Sequence, residues 1–294
     1  MPNTMPEETL NRGTVGVAEM PASEPPLEEG SPAPVVQPNF WRKLYSYRNA
    51  LLIILGILLA WEVGSRWLQV PTYIMPKPSE IGAALMQHRA LLWRNLLVTA
   101  LEAILGFLAG NGVAILLAIV FVHSRTLEQS LFPLALTIRS IPVVALAPLF
   151  LLWFGNGLLP KVIIAALICF FPTLVNMTRG LNSVDRSSLE LMYTLAASPW
   201  QVFAKLRWPA ALPYLLSALK ISSAAAVIGA LVAEWIGSDR GLGYLVVMST
   251  FEFRIELLWA TIAVTSAFAI LLFQMVNLLE RVMIPWHDSL SQME

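Results

Sequence analysis

Residues 96–122 read LLVTALEAILGFLAGNGVAILLAIVFV, with Glu102 as their single charged side chain. A helix needs about 20 mostly apolar residues to cross a bilayer. Lipid offers the backbone no hydrogen-bond partners, so a run of this kind must close its N–H and C=O groups upon itself as a helix. The run ends at His123-Ser124-Arg125. Five further segments share its character: residues 50–67, 127–154, 158–177, 214–236 and 257–283. In the third of the six, Pro133, Pro142 and Pro148 must kink or interrupt the helix. The expected fold is therefore an all-α integral membrane protein with about six transmembrane helices, which puts both termini on one side.

Composition agrees. Of the 294 residues 57% are hydrophobic and 13% charged, against about 25% charged in a soluble domain. A soluble enzyme, a nucleic-acid binder and a disordered protein are poor fits. The one cysteine, Cys169, excludes a disulfide within the chain and a cysteine zinc cluster. His88, His123 and His287 lack metal-ligand spacing, so no metal site is expected.

The zero net charge joins two unlike regions. Residues 1–40 hold six acids, one base (Arg12) and eight of the 20 prolines. With few large apolar side chains to bury, they cannot offset about 1–2 kcal/mol of backbone entropy per residue. Residues 1–42 read as a disordered, acidic, proline-rich cytoplasmic tail, with a docking role as the alternative, and 43–294 as the transmembrane domain. The tail has neither the basic start nor the apolar stretch of a signal peptide. Bases assigned to the two sides, span ends included, divide nine to seven in favour of the side carrying both termini, which the positive-inside rule makes cytoplasmic. Trp61, Trp67, Trp93, Trp153, Trp235, Trp259 and Trp286 fall at span ends, as interfacial anchors do.

Three connections carry structure of their own. After Pro76-Lys77-Pro78-Ser79, an amphipathic run suits a helix along the outer surface, with Ser79 as its N-cap. Gly241-Leu242-Gly243-Tyr244 suits a turn leading into a short re-entrant helix. Residues 180–212, between spans four and five, are too long and too polar for a simple link. Ser187-Ser188-Leu189-Glu190 fits a capping box, and Ser198-Pro199-Trp200-Gln201 fits a second with proline at the first helical position. The expected product is a pair of short amphipathic helices. One presents Leu189, Met192, Tyr193 and Ala196; the other presents Trp200, Phe203 and Ala204 until Pro209 stops it. Such a pair suits an interfacial element resting on headgroups, or a knob that inserts into a cytosolic protein.

Charges within the spans each need a reason, at about 2.5–3.5 kcal/mol near the bilayer centre. Glu62 and Arg66, four apart, suit a mutual surface pair, and Lys220 suits snorkelling to the cytoplasmic boundary. Arg139 precedes Ser140-Ile141-Pro142, where a proline break frees carbonyls. It either serves that break or an acid, or lines a path for anions, which a guanidinium would suit. With Arg139 go Ser140, Pro142 and Glu234 as pore candidates, Glu234 as part of an outer gate or a structural ion pair.

Residues 181–222, LNSVDRSSLELMYTLAASPWQVFAKLRWPAALPYLLSALKIS, resemble the coupling segment of binding-protein-dependent ABC importer permeases. The family pattern runs approximately E-A-A-x-x-x-G, and Glu190 holds its first position. Leu191 and Met192 stand for the alanines, Ala196 for the glycine, and Trp208-Pro209 for a later Leu-Pro. An alanine at 196 makes the turn only with negative φ or with strain. Pro76-Lys77-Pro78-Ser79-Glu80, Arg139-Ser140-Ile141-Pro142, Leu152-Trp153-Phe154-Gly155, Phe171-Pro172 and Gly241-Leu242-Gly243-Tyr244 resemble the nitrate, sulfonate and taurine subfamily.

The resemblance implies a type I importer fold in a bacterial inner membrane. It also implies coupling through Ser187, Glu190, Thr194, Ala196, Ala197, Ser198, Pro199, Trp200, Phe203 and Pro209. The implied partners are a cytosolic ABC ATPase dimer that holds ATP and Mg, a periplasmic or lipoprotein solute-binding protein, a second copy of the chain, and membrane lipid; no nucleic acid. The chain binds no cofactor and is not an enzyme, consistent with the lack of a G-x-x-x-x-G-K-[ST] phosphate loop. The expected solute is small and anionic. The competing class is a self-sufficient carrier or intramembrane enzyme. Against it stand the lack of inverted internal repeats and of any nucleophile–base pair at one depth.

Overall fold

A computed structural model describes residues 40–284, and the description below concerns these. Most of the expected tail lies outside the described residues, as do Trp286 and His287; its last three residues begin a helix. The chain divides into two units, residues 1–54 and 55–294. The boundary falls within α1 (Phe40–Trp67), and everything that follows belongs to the second unit.

The helices after α1 are α2 (Pro78–Gln87), α3 (Arg89–His123), α4 (Arg125–Arg139), α5 (Val143–Phe154) and α6 (Leu158–Leu181). Then come α7 (Arg186–Thr194), α8 (Pro199–Val202), a π turn (Phe203–Arg207), α9 (Trp208–Gly237), α10 (Leu242–Phe251) and α11 (Ile255–Met283). Four continuous helical stretches are long and apolar enough to cross a membrane: Arg89–His123, Leu158–Leu181, Pro199–Gly237 and Ile255–Met283. A fifth arises if α4 and α5 together form one bent span.

That pair departs from the expected third span. The helix bends by 96° between Arg139 and Val143. Of the three prolines only Pro142 breaks it, with ψ 113° as the N-cap of α5. A proline at this point supplies no N–H to the turn before it and disfavours helical geometry at Ile141. Pro133 and Pro148 lie inside α4 and α5.

The core is the triplet α3, α6 and α9, held together by small residues. A Cβ on Gly106 or Gly110 would run into Ala165 and Ala166 of α6, and one on Gly229 of α9 would lie 2.7 Å from Cα of Ala165. Close backbone approach through such residues is how membrane helices associate when no hydrophobic drive separates protein from lipid. A polar seam crosses the same triplet. Thr173 Oγ1 bonds Asn111 Oδ1 and lies 3.1 Å from Ser222 Oγ, which donates to the Cys169 carbonyl at 3.2 Å. All four residues are buried.

Around this triplet α2, α10 and α11 pack through Ile81, Leu245, Leu257 and Ala260, and Trp61 of α1 lies 5.2 Å from Trp259. Helix α2 forms where the amphipathic run stands, but its N-cap is Lys77 rather than Ser79. The Lys77 N–H donates to Glu80 Oε2 at 3.0 Å and its ammonium to Oε1 at 2.9 Å. These bonds hold the Glu80 carboxyl below its usual range. Ser79 is drawn away by Glu62, which accepts its N–H at 3.0 Å and its hydroxyl at 2.9 Å. Glu62 also pairs with Arg66 at 2.6 Å, as the spacing suggests. Lys220 is held on α9 by an ion pair with Glu280 of α11, a partner that snorkelling did not require.

Candidate functional site

The elbow between α6 and α9 is built by its caps. Asp185, not Ser187, is the N-cap of α7, accepting the Ser188 N–H at 2.9 Å while the Ser187 hydroxyl donates to the same carboxylate. These bonds hold the Asp185 carboxyl down at about 2, so the cap is charged at any physiological pH. The expected box starting at Ser187 therefore does not form, and the cap falls two residues earlier. Asp competes successfully because its charged oxygen accepts more strongly than a serine hydroxyl. Glu190 pairs instead with Arg186 at 3.1 Å, four residues back. Thr194 returns its hydroxyl to the Glu190 carbonyl at 3.0 Å.

Helix α7 ends in a Schellman turn. The Ala197 N–H reaches the Met192 carbonyl at 3.0 Å, and the Ala196 N–H reaches Tyr193 at 2.9 Å. This puts Ala196 at φ 51°, in the left-handed region. The expected strain is thus present, at about 1 kcal/mol relative to glycine. Ala196→Gly should slow hydrogen exchange of the amides at the end of α7 by about fivefold, measured by mass spectrometry. Unchanged exchange would remove the strain from this account.

The second capping box forms as read. Ser198 Oγ accepts the Gln201 N–H at 3.3 Å, the Ser198 N–H donates to Gln201 Oε1 at 2.8 Å, and Pro199 opens the helix. Pro209, however, does not stop it. The Trp208 N–H reaches back to the Phe203 carbonyl in the wider π pattern. That pattern carries the helix past a residue with no N–H to donate. The second arm of the elbow is therefore one body with α9, continuous from Pro199 to Gly237.

Its root is buried and its tip is bare. Phe203 joins Phe121 of α3, Met177 and Leu181 of α6, and Leu215 of α9 in one apolar cluster. Ala204, expected beside it, is exposed. Tyr193 and Trp200 are each 70% exposed, and Leu191 and Leu195 are exposed beside them.

Arg139, Ser140 and Pro142 all lie exposed at the break between α4 and α5. Among the described residues Arg139 has neither an ion-pair partner nor a hydrogen-bonded one. Glu234 is far from them in role and is neither ion-paired nor exposed. It is 1% exposed, accepts the Thr99 hydroxyl at 2.7 Å, and accepts the Gly243 N–H at 2.6 Å. Asn95 Oδ1 takes the Gly241 N–H at 2.8 Å and Thr99 Oγ1 takes that of Leu242 at 2.7 Å. Three successive amides at the start of α10 are thus capped by side chains of α3 and α9, a favourable end for a carboxylate. The turn needs its glycines here. Gly241 has φ 109°, and a Cβ on it would strike the Glu234 carboxylate. A Cβ on Gly243 would approach the Leu231 carbonyl to 2.6 Å.

The sequence did not point to the buried pair beside this cap. Lys161 of α6 donates to Glu102 of α3 at 2.9 Å and to Ser238 Oγ at 2.8 Å, with both charged side chains under a tenth exposed. Glu102 lies close enough to Glu234 for the two carboxyl groups to interact. Read in sequence, Lys161 follows the loop Gly155-Asn156-Gly157 and passes for an outer-loop charge. Asn95 and Thr99 carry no signal at all.

An all-helical fold with four or five apolar spans packed around three central helices is that of a polytopic membrane protein. The chain belongs to the family described as binding-protein-dependent transport system inner membrane component, whose model matches residues 110–285. It is 36% identical over 76% of its length, and 91% of the relative, to a probable ABC transporter permease protein of Haemophilus influenzae. It is 34% identical over 83% of its length, and 98% of the relative, to the formylaminopyrimidine transport permease protein ThiX of Halalkalibacterium halodurans. A putative aliphatic sulfonates transport permease protein, SsuC of Bacillus subtilis, is 31% identical over 84% of the chain and 91% of its own length. Among solved structures, a chain of the MetNI methionine ABC transporter in inward-facing form matches with TM-score 0.54 and 19% identity, over 67% of this chain and 97% of that one. That likeness shows the fold. The protein is an ABC importer permease subunit, multi-pass in the membrane, and not an enzyme.

Proposed function

We propose that two copies of this chain enclose the path of an ATP-driven importer, with residues 187–207 seated in a groove of a cytosolic ATPase dimer that binds ATP and Mg. A binding protein outside the membrane delivers the solute. In this arrangement α1 is the first of six spans, the bent pair α4–α5 the third, and both termini are cytoplasmic. One observation carries the reading: the bare Trp200 ring, with Tyr193 of α7 bare beyond the turn, stands on a helix whose root, Phe203, is packed into the transmembrane core. An element merely resting on headgroups has no need of a root that is continuous with a span. A lever does, because packed helices shift as bodies and pass a displacement at the tip to the far end.

The proposed solute is a small anion: a sulfonate, nitrate, taurine or a related organic acid. Arg139 supports this, as an exposed and unpaired guanidinium at a break between two apolar helices. The formylaminopyrimidine name of one relative favours a second class, an uncharged heterocycle. The ligand spectrum of the binding protein encoded beside this chain decides between them.

Trp200→Asp tests the coupling role. Uptake and co-purification with the cognate ATPase should each fall at least tenfold, while the thermal stability of the purified chain stays within a few degrees of the parent. If the ATPase co-purifies undiminished, the elbow lies on lipid and the coupling assignment is lost.

A further inference from the structure

The elbow is not a plain protrusion; it has a cleft behind it. Between the end of α3 and the two arms of the elbow is a cavity of about 260 Å³, lined by Val122, His123, Tyr193, Val202, Phe203 and Arg207. The Phe203 ring lines it, with the His123 imidazole 5.3 Å away at a tilted angle. The His123 Nδ1 is tied to the Ile119 carbonyl at 2.8 Å, which fixes the ring on α3. Arg207 lies half-buried along one wall and, among the described residues, has no acid within ion-pair distance.

The charges around the cleft are unbalanced in one direction. Every acid of the elbow is already engaged: Asp185 by Ser187 and Ser188, and Glu190 by Arg186. Glu128 of α4, the nearest acid in sequence after α3, accepts from Asn182 at 3.3 Å. The bases Arg125, Arg179, Lys205 and Arg207 have no such partners among the described residues. A half-buried guanidinium facing a cavity with an apolar wall is worth most to a carboxylate that arrives desolvated and in line with its fork. Headgroup phosphates would find Arg125 and Lys205 on the exposed surface; the walled position of Arg207 instead suits a side chain presented by a protein.

We propose that this cleft receives an acidic side chain of the cytosolic ATPase, with Arg207 as its ion-pair partner and Phe203 and Tyr193 as its apolar walls. The joint then interlocks in both directions: Trp200 and Tyr193 enter the ATPase, and one carboxylate of the ATPase enters the permease behind them. Pulling as well as pushing becomes possible, since a two-way joint transmits displacement when the ATPase domains separate. The inference rests on the coupling role proposed above.

The test uses the full chain co-expressed with its cognate ATPase, in the double variant Lys205→Arg, Arg207→Lys. This leaves one new primary amine at the cleft and removes the neighbouring one. Zero-length carbodiimide coupling should then join permease and ATPase through an amide between residue 207 and one Asp or Glu, located by peptide mass spectrometry. The Lys205→Arg single variant should give at least tenfold less of that product. In parallel, Arg207→Glu should weaken co-purification at least tenfold, and charge reversal of the mapped acid should restore it. If no cross-link forms while Trp200→Asp still abolishes co-purification, the cleft proposal falls and the coupling role stands. If Trp200→Asp is also without effect, both fall. An Arg207→Glu variant that loses only its retention of phosphatidylglycerol, with ATPase binding intact, identifies lipid as the occupant and overturns the proposal. Arg207→Gln, which removes charge without reversal, guards against misfolding; it should keep the parent melting temperature and weaken co-purification in the same direction.

Discussion

Lys161→Met should destabilise the protein by about 3–5 kcal/mol, the cost of leaving a buried charge without its counterion. The ammonium is the sole base bonded to Glu102, and Glu102 Oε2 already has no hydrogen-bond partner. Removing the base leaves Glu102 beside Glu234 in the buried core, with no other base paired to either among the described residues. It also frees Ser238, which Lys161 holds at the exit of α9. The double variant Lys161→Met, Glu102→Gln removes both charges and should recover most of the loss, because a pair replaced as a whole strands no charge. Thermal unfolding of the purified chain in detergent, followed by size-exclusion, reads both effects. A Lys161→Met protein that melts with the parent would mean that the pair adds nothing.

The pair also marks how far the sequence can be read. Apolar runs and their lengths are local, so α3, α6 and α11 are legible to within about two turns, as are the second capping box and the glycine turn before α10, whereas the third expected span breaks at Pro142 and the fifth begins well before residue 214. Caps are decided by competition among neighbours, and competition is where the reading slips. Ser79 and Ser187 both have the chemistry of a cap, and Ser187 also has a glutamate three residues on. Each loses its expected role to a charged residue nearby: Ser79 is taken by Glu62, seventeen positions earlier, and Ser187 becomes a donor to Asp185.

Pro209 shows a different limit. Proline rules are written for the α-helix, and one π turn suffices to escape them. The consequence for the candidate site is large, because it turns a short second helix into the end of one helical stretch continuous from Pro199 to Gly237. The tip of that stretch was legible from aromatics next to a cap, whereas its root was not, since Phe203, read as presented beside Trp200, meets Phe121, Met177 and Leu181 from distant segments. The capping role of Glu234 was hidden for the same reason. Its partners Thr99 and Gly243 lie 135 and nine positions away, and no pattern along the chain joins them.

Gly106-Phe107-Leu108-Ala109-Gly110, by contrast, is a small-xxx-small pattern visible in the quoted run, and it carries the second large prediction. Gly110→Leu should prevent stable folding, giving at least a tenfold loss of monodisperse protein in detergent. A Cβ at this position meets the Ala166 carbonyl oxygen and lies 2.9 Å from both its carbonyl carbon and Cα. These are backbone atoms inside α6, so relief requires moving a whole helix rather than a side chain, and overpacking of that kind commonly costs 1–3 kcal/mol or more. Gly110→Ala should suffer the same clash without the added bulk and lose about 1–3 kcal/mol. Gly112, two residues on, offers the control, because a Cβ there has nothing within 4 Å; Gly112→Ala should be neutral or slightly stabilising in a helix. The functional stake is the rigidity of the α3–α6–α9 triplet. If Gly110→Ala retains its fold but couples less uptake to each ATP hydrolysed than Gly112→Ala does, close packing is what carries motion from the elbow through the membrane. If both variants couple equally, the triplet serves stability alone and the lever must act through α9 by itself.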